Sequence, residues 1–312
     1  MADANRTGLA YYRETTPGVA QVTLAYQELR YTGESLNYNI SSTKSAEIRS
    51  DRMTSDTIQV SKDCSGAINY ELSIGTYDDF IKGAMMGTWA ANVCINGTTR
   101  HTFTIERGHL DLTPAQYFGF KGMQVSSWTL NVASGAIVTG SFDFIGLSHT
   151  QGTPTFCTAA TPWTSPGTAT VLNAIGNVGT VKEGGSLLSG VYIQSISFTL
   201  NNNLRALKAI GSDATVMVGA GTCDITGQMS VYFTSAALYT KFLNATETSV
   251  EFTISPTGGA KSYVFKFPRV KYETMTMNAT GIDTDVMQTF TWRALKDNVT
   301  GSMLHITRDI TP

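Results

Sequence analysis

Charge is scarce in this 312-residue chain: Asp, Glu, Lys and Arg make up 15%, against a usual ~25%. The 22 basic and 24 acidic residues nearly cancel, leaving a formal net charge of −2. Without a basic excess the chain is not built to grip phosphate backbones by counterion release, and it has neither an acidic tail nor a polybasic membrane patch. No apolar run approaches the ~18–20 residues of a membrane-spanning helix. The opening MADANRTGLAYYRETTPG has no apolar core, so no signal peptide is expected, and the N-x-S/T triplets at Asn39, Asn96 and Asn278 are expected to carry no glycan. The four cysteines (Cys64, Cys94, Cys157, Cys223) form no C-x-x-C pair and have no histidine at ligand spacing; we read them as reduced thiols of a protein folded in a cytosol. Four scattered histidines, no H-E-x-x-H and no G-x-S-x-G leave no catalytic residue, metal ligand or cofactor site to assign. The stretch GAGTCDITG (219–227) lacks the lysine of a phosphate loop and precedes a strand pattern, so it reads as a turn. The sequence points away from an enzyme.

What is present is alternation. SLNYNI (35–40), AINYELSI (67–74), SWTLNV (127–132) and SFDFIG (141–146) separate apolar from polar residues with period two, the mark of half-buried antiparallel strands. At 42% hydrophobic residues disorder is excluded for most of the chain, and its length suits two domains. One helix is predicted: Tyr77, Phe80, Ile81, Ala84 and Met85 share a face, with Thr76 as N-cap, Asp78 and Asp79 in the first turn and Gly87 at the end.

The chain also repeats itself. SISFTL (195–200) follows SLNYNI at an offset of 160, and GQMSVYF (227–233) follows GAINYEL (66–72) at 161. The same offset carries Tyr77, Ile81 and Ala84 onto Leu238, Phe242 and Ala245, predicting a second short helix. TFTI (102–105) resembles EFTI (251–254), residues 118–131 line up with 265–278, and SFDF (141–144) with TFTW (289–292). A collinear series of this kind predicts a duplicated domain: an N-terminal arm (1–28), a first copy (29–148), a Thr/Gly/Pro-rich connector (149–190), a second copy (191–298) and a C-terminal tail (299–312). The later connector, VLNAIGNVGTVKEGG, is apolar enough to add a strand to the second copy. Each copy carries a long polar excursion after its first strand, 41–66 and 201–227, a length usually reserved for interaction loops.

The series ELRYTGESLNYNISSTKSAEIRSDRMTSD, GAINYELSIGTYDDFIKGAMMGTW, TFTIERG and GSFDFIGL, with ISFTLNNNLRALKAIGS, GQMSVYF and YVFKFPRVK in the second copy, resembles the tail tube (major tail) proteins of long-tailed, siphophage-type bacteriophages over about residues 25–298. The resemblance implies two tandem β-sandwich or open-barrel tube domains, each with one short helix. It implies a structural virion protein, assembled in the host cytoplasm, that polymerises as stacked rings into a genome-delivery channel. The implied partners are further copies of itself, a tape-measure protein, and tail terminator and distal tail proteins, with DNA passing through the lumen unbound. In that setting Asn37, Asn39, Asn69, Glu71, Ser197, Thr199 and Ser230 are candidates for the lumen face, the alternative being an outward face. Lys44, Glu47, Arg49, Asp51 and Arg52 are candidates for an inter-ring or inter-subunit loop, the alternative being a solvated one. Duplication favours a trimeric, pseudo-hexameric ring over a true hexamer. The rival function is a β-rich adhesin or carbohydrate-binding protein, with Trp89, Trp128, Trp163 and Trp292 as a stacking platform, although Trp128 and Trp292 sit in core phase.

Overall fold

The structure is a computed structural model that describes residues 1–174, 178–188, 190–256, 261–279 and 281–310. The first half opens with β1 (Thr7–Arg13), β2 (Tyr26–Glu28), β3 (Gly33–Glu34), β4 (Asn37–Lys44) and β5 (Thr57–Glu71). Helix α1 (Asp78–Met85) follows, then β6 (Val93–Ile95), β7 (Phe103–His109), β8 (Gln116–Ala133), β9 (Thr139–Gly146) and β10 (Ser148–Gly152). The connecting stretch holds β11 (Trp163–Thr164), β12 (Val178–Glu183) and β13 (Ser186–Leu187). The second half continues with β14 (Ile193–Asn201), β15 (Arg205–Leu207), β16 (Met217–Gly219), β17 (Asp224–Tyr232) and helix α2 (Ala237–Leu243). It ends with β18 (Thr248–Ile254), β19 (Ser262–Asn278), β20 (Met287–Ala294) and β21 (His305–Asp309).

In the first half the antiparallel order is β4-β5-β9-β8-β7-β1, with β10 on the start of β8. In the second it is β14-β17-β20-β19-β18-β12, with β21 on the start of β19. Strand for strand, the two orders correspond. The long strands β8 and β19 serve two layers each. Their early residues pair outward with β7 and β18, their late residues pair inward with β9 and β20, and a register shift separates the halves at Val125/Ser127 and at Tyr272/Thr274. An extra residue at such a bulge sharpens the bend and lets one strand cross between layers.

The pairing refines the sequence alignment in two places. Phe103 faces Met123 as Thr248 faces Val270, so the true counterpart of TFTI lies four residues before EFTI. Glu34 faces Ile68 as Ile196 faces Met229, so the first strands correspond at 162 rather than 160. Both slips are even, which keeps every side chain on its predicted face. Gly66 and Gly227 are structural counterparts and both need to be glycine. A Cβ on Gly66 would lie 2.5 Å from Leu36 Cα, and one on Gly227 would lie 2.0 Å from the Trp292 ring.

Helix α1 forms where expected, burying Phe80, Ile81, Ala84 and Met85, but its ends differ. Thr76 turns its hydroxyl to Ser73 Oγ at 2.7 Å and caps nothing, and the helix closes on Met86 in the left-handed region (φ 46°) instead of at Gly87. The first-turn carboxylates hold tertiary contacts: Asp79 accepts from Lys82 and from Tyr11, and Asp78 pairs with Arg308 and with the Tyr263 hydroxyl. In α2, Leu238 is buried and Phe242 packs on the core, while Ala245 lies past the helix end, exposed.

The termini are integral to the fold. Residues 1–28 supply β1, which runs along β7 for its full length, and the tail strand β21 lies between β19 and β6, tying the end of the chain to its first half. The connector is anchored on the first half. Buried Glu106 accepts from Thr155 Oγ1, the Phe156 amide and Trp163 Nε1, and the Trp163 ring fills the space a Cβ would take at Gly8. Its later part forms β12 on β18; residues 175–177 of that stretch lie outside the described residues.

Candidate functional site

The two halves meet edge to edge. The late part of β8 pairs with β14 from Ser127↔Asn201 to Ala133↔Ser195, so the inner layers fuse into one sheet ordered β4-β5-β9-β8-β14-β17-β20-β19. On its core face Trp128, Leu130 and Val132 stand opposite Leu200, Phe198 and Ile196, all at most 5% exposed. Trp128 stacks edge-on with Phe198 at 5.0 Å and donates from Nε1 to Tyr70 Oη at 2.7 Å. One apolar core therefore runs unbroken through both halves.

The other face is polar. Glu71, Thr139, Asn131, Ser197, Gln228, Thr291 and Thr274 stand successively opposite one another across seven strands. A second row runs Asn69, Ser141, Thr129, Thr199, Thr226 and Arg293. Thr129 and Thr199 share a hydroxyl hydrogen bond of 3.1 Å across the junction. Ser230 pairs with Thr289, their hydroxyls 3.1 Å apart, and Asn37 and Asn39 face Ser65 and Asp63. All seven residues nominated from sequence thus share one face, although Ser230 is only 8% exposed. The face is Ser/Thr/Asn-rich and not wholly uncharged, since Asp143 and the Asp224–Arg293 ion pair join Glu71 on it.

Two edges of this sheet have no partner among the described residues: the outer side of β4 and the late part of β19. The core-face side chains there are uncovered. Ile40 is 56% and Met277 36% exposed, while Leu130, the counterpart of Met277, is fully buried. These edge residues were not singled out from sequence. The signal available was the pairing partner each repeat position would require.

The two excursions differ. The β4–β5 hairpin stays paired out to Lys44↔Thr57 and then opens into a loop in which Arg49 bonds Asp51 (2.8 Å) and approaches Glu47 (3.8 Å). Lys44 and Arg52 have no ion pair among the described residues, and Ile48 and Met53 are 98% and 70% exposed. The 201–224 excursion instead folds back as hairpin β15–β16 beneath the first half. There Lys62 pairs with Asp213, Lys208 with Asp63 (2.6 Å), and Arg100 donates to the Val218 carbonyl at 2.8 Å. Asn202, 3% exposed, donates to the carbonyls of Ala84 (2.9 Å) and Val125 (3.0 Å).

The remaining reactive side chains are dispersed in structural roles. His101 Nε2 lies 2.7 Å from the Gly87 carbonyl, and His149 stacks between Tyr38 and Phe118. Burial lowers the pKa of His101, His149 and His305 and keeps them neutral near pH 7; Arg107 and Lys121 add to this at His149. Burial pushes the thiols of Cys64 and Cys223 up to about 12 and that of Cys94 to about 11. No cluster of metal-ligating side chains occurs among the described residues. Trp128 and Trp292 are fully buried, Trp89 lies 4.3 Å beneath the Arg308 guanidinium, and Trp163 packs on Gly8, so the four tryptophans form no common platform. No helix among the described residues is long and apolar enough to cross a membrane.

No curated protein matches the chain significantly. A family model described as phage tail tube protein matches residues 4–294, nearly the whole chain, and a mainly β structure with two short helices and a sheet open at both ends accords with it. The chain therefore belongs to the phage tail tube protein family, whose members are structural components of the virion tail.

Proposed function

We propose that three copies of this chain close into a ring whose inner wall is the fused sheet, and that such rings stack into the tube through which the genome leaves. The observation that carries this is the β8–β14 junction. It is an edge-to-edge contact between equivalent layers, and the chain ends in the same two edges unpaired among the described residues. An unpaired edge invites another strand, and a head-to-tail contact that closes on itself removes every edge. By correspondence, β4 of one copy pairs with late β19 of the next, placing Asn37 opposite Thr276 and Asn39 opposite Thr274. Twenty-four strands at about 4.8 Å spacing give a wall about 37 Å across before tilt widens it.

In this reading residues 29–148 and 191–298 are duplicated tube domains, and Asn37, Asn39, Asn69, Glu71, Ser197, Thr199 and Ser230 face the lumen. Among the described residues this hydroxyl- and amide-rich wall offers duplex DNA few cations: Arg293, which Asp224 and Glu273 neutralise, and its register partner Lys271, which pairs with Glu247. The protein works with a tape-measure protein inside the channel and with terminator and distal tail proteins at its ends, has no catalytic role, and is assembled in the host cytoplasm. The 45–56 loop reaches another subunit.

The test is electron microscopy of the purified protein with particle averaging, together with Asn37→Cys/Thr276→Cys cross-linking. Threefold rings joined by the disulfide are expected; six full chains per ring, or side chains of the polar face turned away from the channel, would overturn the reading. Deleting 45–56 is expected to leave a folded protomer that no longer polymerises.

A further inference from the structure

The two halves also correspond in what lies beneath them. Under the first half, Arg100, Thr102, Gln124 and Leu147 line a cavity of about 300 Å³ closed by Glu14, Thr15 and Pro17 on one side and by Val216–Val218 of the folded-back excursion on another. The strand correspondences carry Thr102 onto Glu247 and Gln124 onto Lys271. At that place under the second half lies an open pocket of about 470 Å³, lined by Glu247, Thr248, Arg269, Asp297 and Asn298. No excursion among the described residues covers it.

We propose that this pocket is the receptor for the 45–56 loop of a second copy of the chain. The contact rests on the ring reading above, and the 201–224 excursion seated under the first half is its internal template. The topology delivers the loop there. The excursion leaves β14, crosses below β8 and β9, and sets its tip, 208–213, against Lys62 and Asp63 of β5; by the same correspondence a loop leaving β4 of a neighbouring copy crosses below β19 and β20, with 54–56 at the pocket and its tip toward the base of β17. The template contact is made by crossed ion pairs, Lys62 with Asp213 and Lys208 with Asp63. The counterparts of Lys62 and Asp63 in the second half are Cys223 and Asp224, so the crossed pairs do not repeat there; Lys44 and Arg52, which have no ion pair among the described residues of their own chain, take the carboxylates of Glu247 and Asp297 instead. Glu247 already holds Arg269 at 2.6 Å and Lys271 at 3.3 Å, and among the described residues Asp297 accepts from Thr300 and backbone amides of its own turn, with the Arg269 charge nearby. The loop's apolar tip, Ile48 and Met53, is exposed in the free chain and is covered by the contact. The contact is lateral, between neighbours in one ring, and not between stacked rings.

The test uses the full chain with a photoreactive benzophenone side chain at position 55, mixed with isotope-labelled unmodified chain under assembling conditions and irradiated. Cross-links from position 55 to 245–249 and 295–299 of the labelled copy are expected, and Asn298→Arg, a change at an exposed position, is expected to abolish them while the circular dichroism stays unchanged. Cross-links that map elsewhere, or persist in Asn298→Arg, overturn the contact. If the Asn37→Cys/Thr276→Cys disulfide forms but position 55 misses the pocket, the loop contact fails and the ring stands. If neither forms, both fail.

Discussion

Two strand edges that hold corresponding places in the strand orders of the two halves have opposite fates in this molecule. Late β8 is covered by β14, and its Trp128, Leu130 and Val132 lie in a continuous core; late β19 presents Met275 and Met277 at an edge with no partner among the described residues. The excursions show the same contrast, one clamped beneath the first half, the other standing free with Ile48 and Met53 in solvent. Side chains at corresponding strand positions are thus core residues in one half and edge residues in the other. The difference arises from chain order: late β8 has the second half packed against it, and no described strand pairs with the outer side of late β19.

The comparison can be broken most forcefully at the covered junction. Trp128→Ala should cost about 3–5 kcal/mol in denaturant unfolding, because it opens a cavity and strands the Tyr70 hydroxyl. Met275→Ala, at the corresponding open edge, should cost about 1 kcal/mol in the free chain, since most of its burial awaits a partner strand. Equal losses at the two positions would show that the edges do not differ as described.

Gly66→Ala and Gly227→Ala should each cost about 1–3 kcal/mol or more, measured in the same way. The reasons differ, since the first meets the backbone of Leu36 and the second the Trp292 ring. If only one substitution is destabilising, the correspondence of β5 with β17 is weaker than the pairing indicates.

A smaller effect separates two buried carboxylates. Glu14 is held by neutral donors alone, the amides of Gly18 and Gly122 and the Thr104 hydroxyl, whereas Glu183 takes a hydrogen bond from Thr248 and the ammonium of Lys241. Lys241→Met should therefore cost about 1–3 kcal/mol by leaving Glu183 under-satisfied. No loss in thermal unfolding would mean that the half-exposed lysine is replaced by water.

The smallest effect concerns pH. Burial, with Arg107 and Lys121 nearby, lowers the His149 pKa below its usual 6.5, so the unfolded chain takes up the proton first. Its contribution to stability is full above pH 6.5 and is lost as pH falls through 6.5 toward the lowered value. His149→Phe should flatten that part of the stability–pH curve and keep the stack on Tyr38. An unchanged slope would assign the dependence to His101 or His305.

Much of this was legible in the sequence. Alternation located β4, β5, late β8 and β9, the apolar spacing located α1, and the polar residues nominated for one face do share one. Register was not legible: the two-residue slip of β4 and the four-residue slip of β7 leave a period-two pattern unchanged, so no reading of faces could detect them. The caps of α1 were misread because Thr76 found a closer partner in Ser73, and the first-turn aspartates found Arg308 and Tyr263 far along the chain. The two excursions looked alike as sequence, and only one of them has a neighbouring half of the same chain beneath which to fold.

By itself the sequence determined the faces of the alternating inner strands and the low charge of the polar side. These depend on side-chain type and spacing along a single strand. Only the tertiary structure decided which edge is covered and which stays open, which excursion is docked, and where the chain ends are tied in. Those outcomes depend on pairing between distant segments, which no pattern along a single strand encodes.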